Sequence, residues 1–150
     1  MEANQIVEAN EMIKIIVYGE PVAQGRAKIS TIGGFARAYD PKKSRDYKHE
    51  VRSCAVEQYK QRPIENAVNL AVKVYRSIPA SWSKKKTAQA EAGLIRPTSK
   101  PDLKNYIAGV EDALNGVLWR DDSQVVSFDG SGKWYAPDGR PRIEVYVEVV

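Results

Sequence analysis

The sequence predicts an α+β domain, a mixed β-sheet packed by helices in two layers. Two periodicities carry this prediction. Val68, Leu70, Val72 and Val74 alternate with other residues, and Ile143 to Val149 alternates in the same way, which is the period of a half-buried strand. Leu103, Tyr106, Ile107, Val110 and Leu114 recur at helical spacing, as do Tyr47, Val51, Ala55 and Tyr59. The segment order β–α–β–α–α–β–β, without an internal repeat, suits one sheet with helices on one face. A chain of 150 residues, 43% hydrophobic and 28% charged, has the size and apolar content for a single such domain.

Residues 1–11 are polar and acidic and show neither period, so they are expected to form a loose arm ahead of a domain at 12–150. Met12 to Tyr18 is β-branched and apolar, a strand stopped by Gly19-Glu20-Pro21. Gln24-Gly25-Arg26-Ala27-Lys28 and Gly33-Gly34 mark a loop or hairpin ending near Phe35 to Tyr39. Asp40-Pro41 predicts a helix start, with Asp40 as N-cap and Pro41 at the first helical position. That helix is expected to run to about Arg62, ahead of Pro63. Pro79 to about Ala92 reads as a short basic helix closed by Gly93, and Leu94 to Pro101 as a linking loop. Leu103 to Asn115 is the most regular helix, ended by Gly116. Trp119-Arg120-Asp121-Asp122 then turns into a strand, Gln124 to Phe128. Ser131-Gly132 and Asp138-Gly139 punctuate a hairpin-like segment before the last strand.

Composition excludes several classes of function. The single cysteine, Cys54, allows neither an internal disulfide nor a thiolate metal site, and fits a reduced, cytoplasmic compartment. One histidine, His49, argues against a His-based zinc centre. No apolar run is long enough for a membrane span, and no secretory signal is expected at Met1-Glu2-Ala3-Asn4. The charge is uneven. Residues 1–100 hold 18 Lys and Arg against 10 Asp and Glu, and residues 101–150 hold 5 against 9. A basic first part followed by an acidic patch suits a polyanion held by one set of residues and a cation held by another.

The residues that point to chemistry lie between Lys100 and Val126. Asp102 opens the regular helix, and Asp121 and Asp122 lie beyond its far end, roughly 18 Å away along the axis. If the loop folds back and the three converge, their repulsion calls for a cation. Oxygen ligands of this kind suit Mg²⁺ or Mn²⁺, which can activate water for phosphodiester hydrolysis. The plainer reading makes Asp102 a helix cap and Asp121-Asp122 a surface turn.

Lys100-Pro101-Asp102-Leu103-Lys104-Asn105, then Asp112-Ala113-Leu114, then Asp121-Asp122-Ser123-Gln124-Val125-Val126 resembles the signature of the RusA family of Holliday junction resolvases. Weaker likeness extends to Gly19–Arg26, to Pro79–Ser83 and to the last strand, so it covers most of the chain from residue 12. The resemblance implies a Mg²⁺-dependent endonuclease of bacterial or phage origin, serving DNA recombination and repair. It would act as a homodimer that nicks opposed strands of a four-way junction. The family's ligand aspartates carry over onto Asp102 and Asp122, with Asp121 beside them. No nucleotide cofactor and no membrane partner are implied.

Two positions depart from the family pattern. Lys104 stands where the family has an aspartate, and Ala108 where it has a lysine. A protonated lysine cannot ligate Mg²⁺ and repels it. One consequence is a protein that keeps the fold and junction binding but cuts poorly. The other is relocation. Residues 104, 108 and 111 share one helix stripe, so Glu111 can supply the carboxylate and Lys104 the cation, their roles exchanged. A generic basic adaptor, whose aspartates only cap and turn, is the third reading.

Candidate DNA contacts are Arg26, Lys28, Arg37, Lys42, Lys43, Arg45, Lys84, Lys85 and Lys86, which can neutralise backbone phosphates. Arg26 and Lys28 lie in the glycine-containing loop that, in the family, is near the active site. The lysine triplet also reads as a solvated helix face. Trp82 and Trp119 are expected as packing anchors, and Trp134 is left open between packing and stacking on bases. His49 is expected to face solvent, and Cys54 to pack.

Overall fold

The computed structural model describes residues 11–150 apart from 26–27, 31–32, 35–36 and 40, with backbone alone at 28–30 and 37–39. Its elements are β1 (Met12–Tyr18), β2 (Lys28–Ser30), β3 (Arg37–Tyr39), α1 (Lys42–Gln58), β4 (Val68–Arg76), α2 (Lys84–Glu91), α3 (Leu103–Leu114), β5 (Val125–Ser127), β6 (Gly132–Tyr135) and β7 (Arg142–Val149). A 3₁₀ turn, Asp122–Gln124, precedes β5.

The main sheet is mixed, as the sequence predicts. β7 lies between β1 and β4 and is antiparallel to both, with Ile15 opposite Val145 and Val72 opposite the same residue. The other edge of β4 is shared by β5 and β6, each parallel to it. β2 and β3 form a separate antiparallel pair, in agreement with the expected hairpin.

Alternation builds the core. Ile15, Val17, Val68, Leu70, Val72, Val74, Ile143, Val145 and Val147 are fully buried on one face of the sheet. The helices cover that face with Tyr47, Val51 and Ala55 from α1 and with Tyr106, Ile107, Val110, Ala113 and Leu114 from α3. These are the stripes read from the helical period.

Four boundaries differ from expectation. Pro41, not Asp40, occupies the N-cap position of α1, no side chain caps it, and Asp40 lies outside the described residues. α1 ends at Gln58 rather than near Arg62, because two contacts redirect the chain. Gln58 pairs with the edge strand, accepting from Ile16 N–H (2.9 Å) and donating to Ile16 O (2.8 Å). Tyr59 then turns extended and inward, where it is 6% exposed. α2 begins at Lys84, not Pro79, because Ser83 caps it by accepting from Lys86 N–H at 3.2 Å. The segment around Ser131-Gly132 is a strand, β6, paired with β4 and not with β7, so it is no hairpin. Its four residues were too short to show a period. The expected arm at 1–11 lies outside the described residues except for Glu11.

Candidate functional site

α3 presents the first group of candidate residues. Asp102 holds its N-cap position with extended backbone, yet its carboxylate accepts no capping hydrogen bond from the helix. The side chain therefore does not have the structural duty that the plainer reading gave it. Its near neighbour is Lys100, with Nζ 3.7 Å from Oδ1.

The loop before Asp102 is held from the sheet. Lys133 on β6 donates to Ser99 O (3.1 Å) and Pro101 O (3.0 Å). Arg76 on β4 donates to Ser99 O at 3.1 Å, and Arg96 donates to Lys133 O at 2.6 Å. The Lys100–Pro101 peptide is cis. Burial, aided by the Arg76 charge, lowers the Lys133 pKa, while Asp102 pulls it back up. The sequence reading passed over Lys133; nothing in its local pattern separates it from a surface lysine.

A cavity of about 830 Å³ opens beside this loop. Asp102, Lys104, Asn105 and Ala108 line it from α3, Lys100 and Pro101 from the loop, and Ala23, Gln24 and Gly25 from the chain after β1. That chain is tied to α3 by Gln24 N–H donating to Asn105 O at 3.0 Å.

The second group gathers beyond the other end of α3. Trp119 is fully buried and donates from Nε1 to Asn115 Oδ1 at 2.7 Å, which fixes the loop leaving the helix. Asp121 caps the 3₁₀ turn, accepting from Ser123 N–H at 3.0 Å, and these bonds keep its pKa below the ordinary carboxylate value. Gln124 completes a capping box. Its Oε1 accepts from Arg120 N–H (2.9 Å) and Asp121 N–H (3.0 Å), and its Nε2 donates to Ile64 O (2.8 Å) and Asn66 O (3.0 Å). Gln124 was not singled out from sequence, although the Asp-x-x-Gln spacing of a capping box was there to be read.

Asp122 follows in the first turn and is exposed. Its charge reaches Glu111 on α3. The Glu111 pKa is raised, first by burial and then by Asp122. Glu111 thus feels the charge of Asp122, while Asp102 lies beside Lys100 and Asp121 caps its turn. Among the described residues no group of three or more His, Cys, Asp or Glu side chains gathers around one point.

The basic candidates are spread over other surfaces. Arg26 lies outside the described residues, and Lys28 and Arg37 are described only as backbone in β2 and β3. Lys42, Lys43 and Arg45 are exposed on α1, where Lys42 pairs with Asp46 at 2.6 Å. Arg45 also lines a 220 Å³ cleft with Lys48, His49, Arg52 and Asp112. There Lys48 pairs with Asp112 at 2.7 Å, and Arg52 donates to Asn115 O at 2.7 Å, a cation at the end of α3. His49 is exposed, as expected. Lys84, Lys85 and Lys86 are exposed on α2, and Lys86 Nζ lies 4.0 Å from the Trp82 ring centre.

The tryptophans have packing partners. Trp82 meets Tyr135 edge-on at 5.2 Å, and Trp134 stacks on Tyr75 at 5.7 Å with Arg96 4.2 Å from its ring centre. Cys54 is half-buried, and burial raises its thiol pKa, which disfavours a nucleophilic thiolate.

The chain matches the family described as endodeoxyribonuclease RusA over residues 18–148. It is 46% identical over 142 residues to the uncharacterized protein YqaN of Bacillus subtilis (strain 168), covering 93% of this chain and 98% of that protein.

Proposed function

The chain belongs to the RusA family of endodeoxyribonucleases, and from that membership we propose a structure-specific nuclease that hydrolyses phosphodiesters in four-way junction DNA. A homodimer would match the two-fold symmetry of the junction and nick opposed strands. Among the described residues no helix is long and apolar enough to cross a membrane. From the family membership the reading takes the substrate to be DNA of the bacterial or phage cytoplasm, in recombination or repair.

The observation that supports the proposal is the half-buried Glu111 on α3, which feels the charge of the exposed Asp122. A partly desolvated carboxylate that feels a second negative charge, as Glu111 does, is costly to ionise unless a cation joins it. Mg²⁺ is commonly held by one or two carboxylates, several waters and substrate phosphates, so this pair fits it without a third acid. Mn²⁺ suits the same oxygens. When bound, such a cation supplies positive charge at the phosphodiester and lowers the pKa of water.

The chain's own residues do the rest. Asp122 and Glu111 hold the cation, which gives Glu111 the role that residue 104 has in the family. Asp121 and Gln124 fix the turn that aims Asp122. Lys42, Lys43, Arg45 and Lys84 to Lys86, with Arg26, Lys28 and Arg37, neutralise the DNA arms.

The test is cleavage of a labelled four-way junction against linear duplex, with Mg²⁺, Mn²⁺ or chelator. Paired nicks should need the metal and the junction, and should be lost in Asp122→Asn and Glu111→Gln. Full metal-dependent cutting by Glu111→Gln would sink the assignment of that residue. The second reading, a junction-binding protein with impaired cleavage, draws on Lys100 and Lys104 around Asp102 and on Ala108. It predicts tight junction binding without nicks under every metal condition.

A further inference from the structure

The cavity at the start of α3 has the wrong charge for a cation. Among the described residues Asp102 is the one acid that lines it, and Lys100 and Lys104 line the same space. Lys100 Nζ lies 3.7 Å from the Asp102 carboxylate. Lys133 adds a third ammonium, which feels the charge of Asp102. It is fixed there by its bonds to Ser99 O (3.1 Å) and Pro101 O (3.0 Å). Among the described residues, three ammoniums against one carboxylate leave the locality positive. An ammonium offers three donors and no acceptor, so it has nothing to give a metal ion and much to give an anion. Asn105 adds a neutral amide to the wall.

We propose that this cavity seats a phosphate of the DNA backbone and not a metal ion. Lys104 and Lys100 donate to its non-bridging oxygens. Asp102 orients Lys100, and Lys133 holds the loop that carries both. The proposal rests on the reading of the chain as a branched-DNA protein and assigns one phosphate of that substrate to a place in the fold.

The test uses the full chain and a fluorescent four-way junction. Binding is followed by anisotropy across a salt series, once in chelator and once in Mg²⁺. Lys104 is exposed, so Lys104→Gln should fold, as circular dichroism can verify. Loss of one phosphate contact should reduce the slope of log K against log[salt] by about 0.9, which is about eightfold weaker binding near 0.1 M salt. Lys60→Gln, an exposed lysine outside the cavity, should bind as the wild type does.

The sign in Mg²⁺ decides between anion and cation. A phosphate seat predicts weaker binding by Lys104→Gln in both conditions. A metal site predicts tighter binding in Mg²⁺, because a repelling charge has gone, and that result overturns the proposal. So does a Lys104→Gln variant that matches wild type in affinity and slope, and in that case junction binding by the wild type leaves the functional reading standing. A wild-type chain with no affinity for the junction overturns both.

Discussion

Gln124 holds the turn that carries Asp121 and Asp122, and replacing it tests the assembly of the acidic pair. Its amide makes four hydrogen bonds, two as acceptor from Arg120 and Asp121 and two as donor to Ile64 and Asn66. Three of these are solvent-exposed and one, to Ile64 O, is partly buried. At roughly 0.5 kcal/mol for each exposed bond and about 1.5 kcal/mol for the partly buried one, Gln124→Ala should cost about 3 kcal/mol. For a domain of this size that is roughly 6–12 °C in Tm. Urea denaturation gives the free energy, and calorimetry the Tm.

Cleavage measured well below Tm should fall further than the stability loss explains, because a misplacement of about 1 Å at a reacting centre can cost on the order of 100-fold. Gln124→Glu sharpens the test. It keeps the shape and the acceptor, but turns an oxygen toward the two carbonyls that the amide had satisfied. It should be at least as destabilising at neutral pH and recover as acid protonates the new carboxyl. If Gln124→Ala loses under about 1 kcal/mol and cuts normally, the turn does not depend on this side chain.

Glu111 and Gly132 give two further predictions. Burial and Asp122 raise the Glu111 pKa above its ordinary value of 4.5, so the folded state binds this proton more tightly than the unfolded state. The stability linked to it is full at low pH and is lost as pH rises from the ordinary value through the folded one. Glu111→Gln should therefore flatten that limb and raise metal-free stability near neutrality, while Mg²⁺ should raise the Tm of the wild type more than that of the variant; calorimetry across pH reads both. At Gly132, an added Cβ would lie 2.6 Å and 2.8 Å from Trp134 ring atoms and 3.0 Å from the Arg96 guanidinium. That ring is fixed between Tyr75 and Arg96, so Gly132→Ala should cost about 1–3 kcal/mol in urea denaturation.

The core was legible because burial on one face leaves a period in the sequence. Val68 to Val74 on β4 and Leu103 to Leu114 on α3 stand where alternation and helical spacing put them. What stayed hidden was set by contacts between distant segments. Gln58 ends α1 by pairing with Ile16, 42 positions away, and no local signal at residue 58 announces that. β6 is four residues long and draws its order from β4. In the site, the sequence spacing already set Glu111 on the stripe of residues 104 and 108. That Asp122 comes close enough for its charge to act on Glu111 depends on the loop anchored by Trp119 and Gln124. Lys133 reaches the Asp102 loop through pairing of β6 with β4, a parallel register that no motif encodes.

If Glu111 and Asp122 hold the cation as proposed, the separation of charge along α3 also answers the difficulty posed by Lys104. Lys104 and Glu111 are seven residues apart, about 10 Å of helix axis. Two unit charges in contact near 4 Å interact by about 4 kcal/mol at an effective dielectric of 20, and at 10 Å by under about 2 kcal/mol. Ten ångströms is also about one Debye length at 0.1 M salt, so much of the remainder is screened at an open surface. A lysine that would disable a metal site at Asp102 is therefore tolerable for one at Glu111 and Asp122. The same distance has a meaning on the DNA. Phosphates on one strand advance about 3.4 Å along the duplex axis, so 10 Å is about three nucleotides. A phosphate gripped at Lys104 and a phosphate facing the acidic pair would then be different members of one strand. On the proposed assignments the lysine and the carboxylates would each meet the charge they suit, and neither site would require the other to give way.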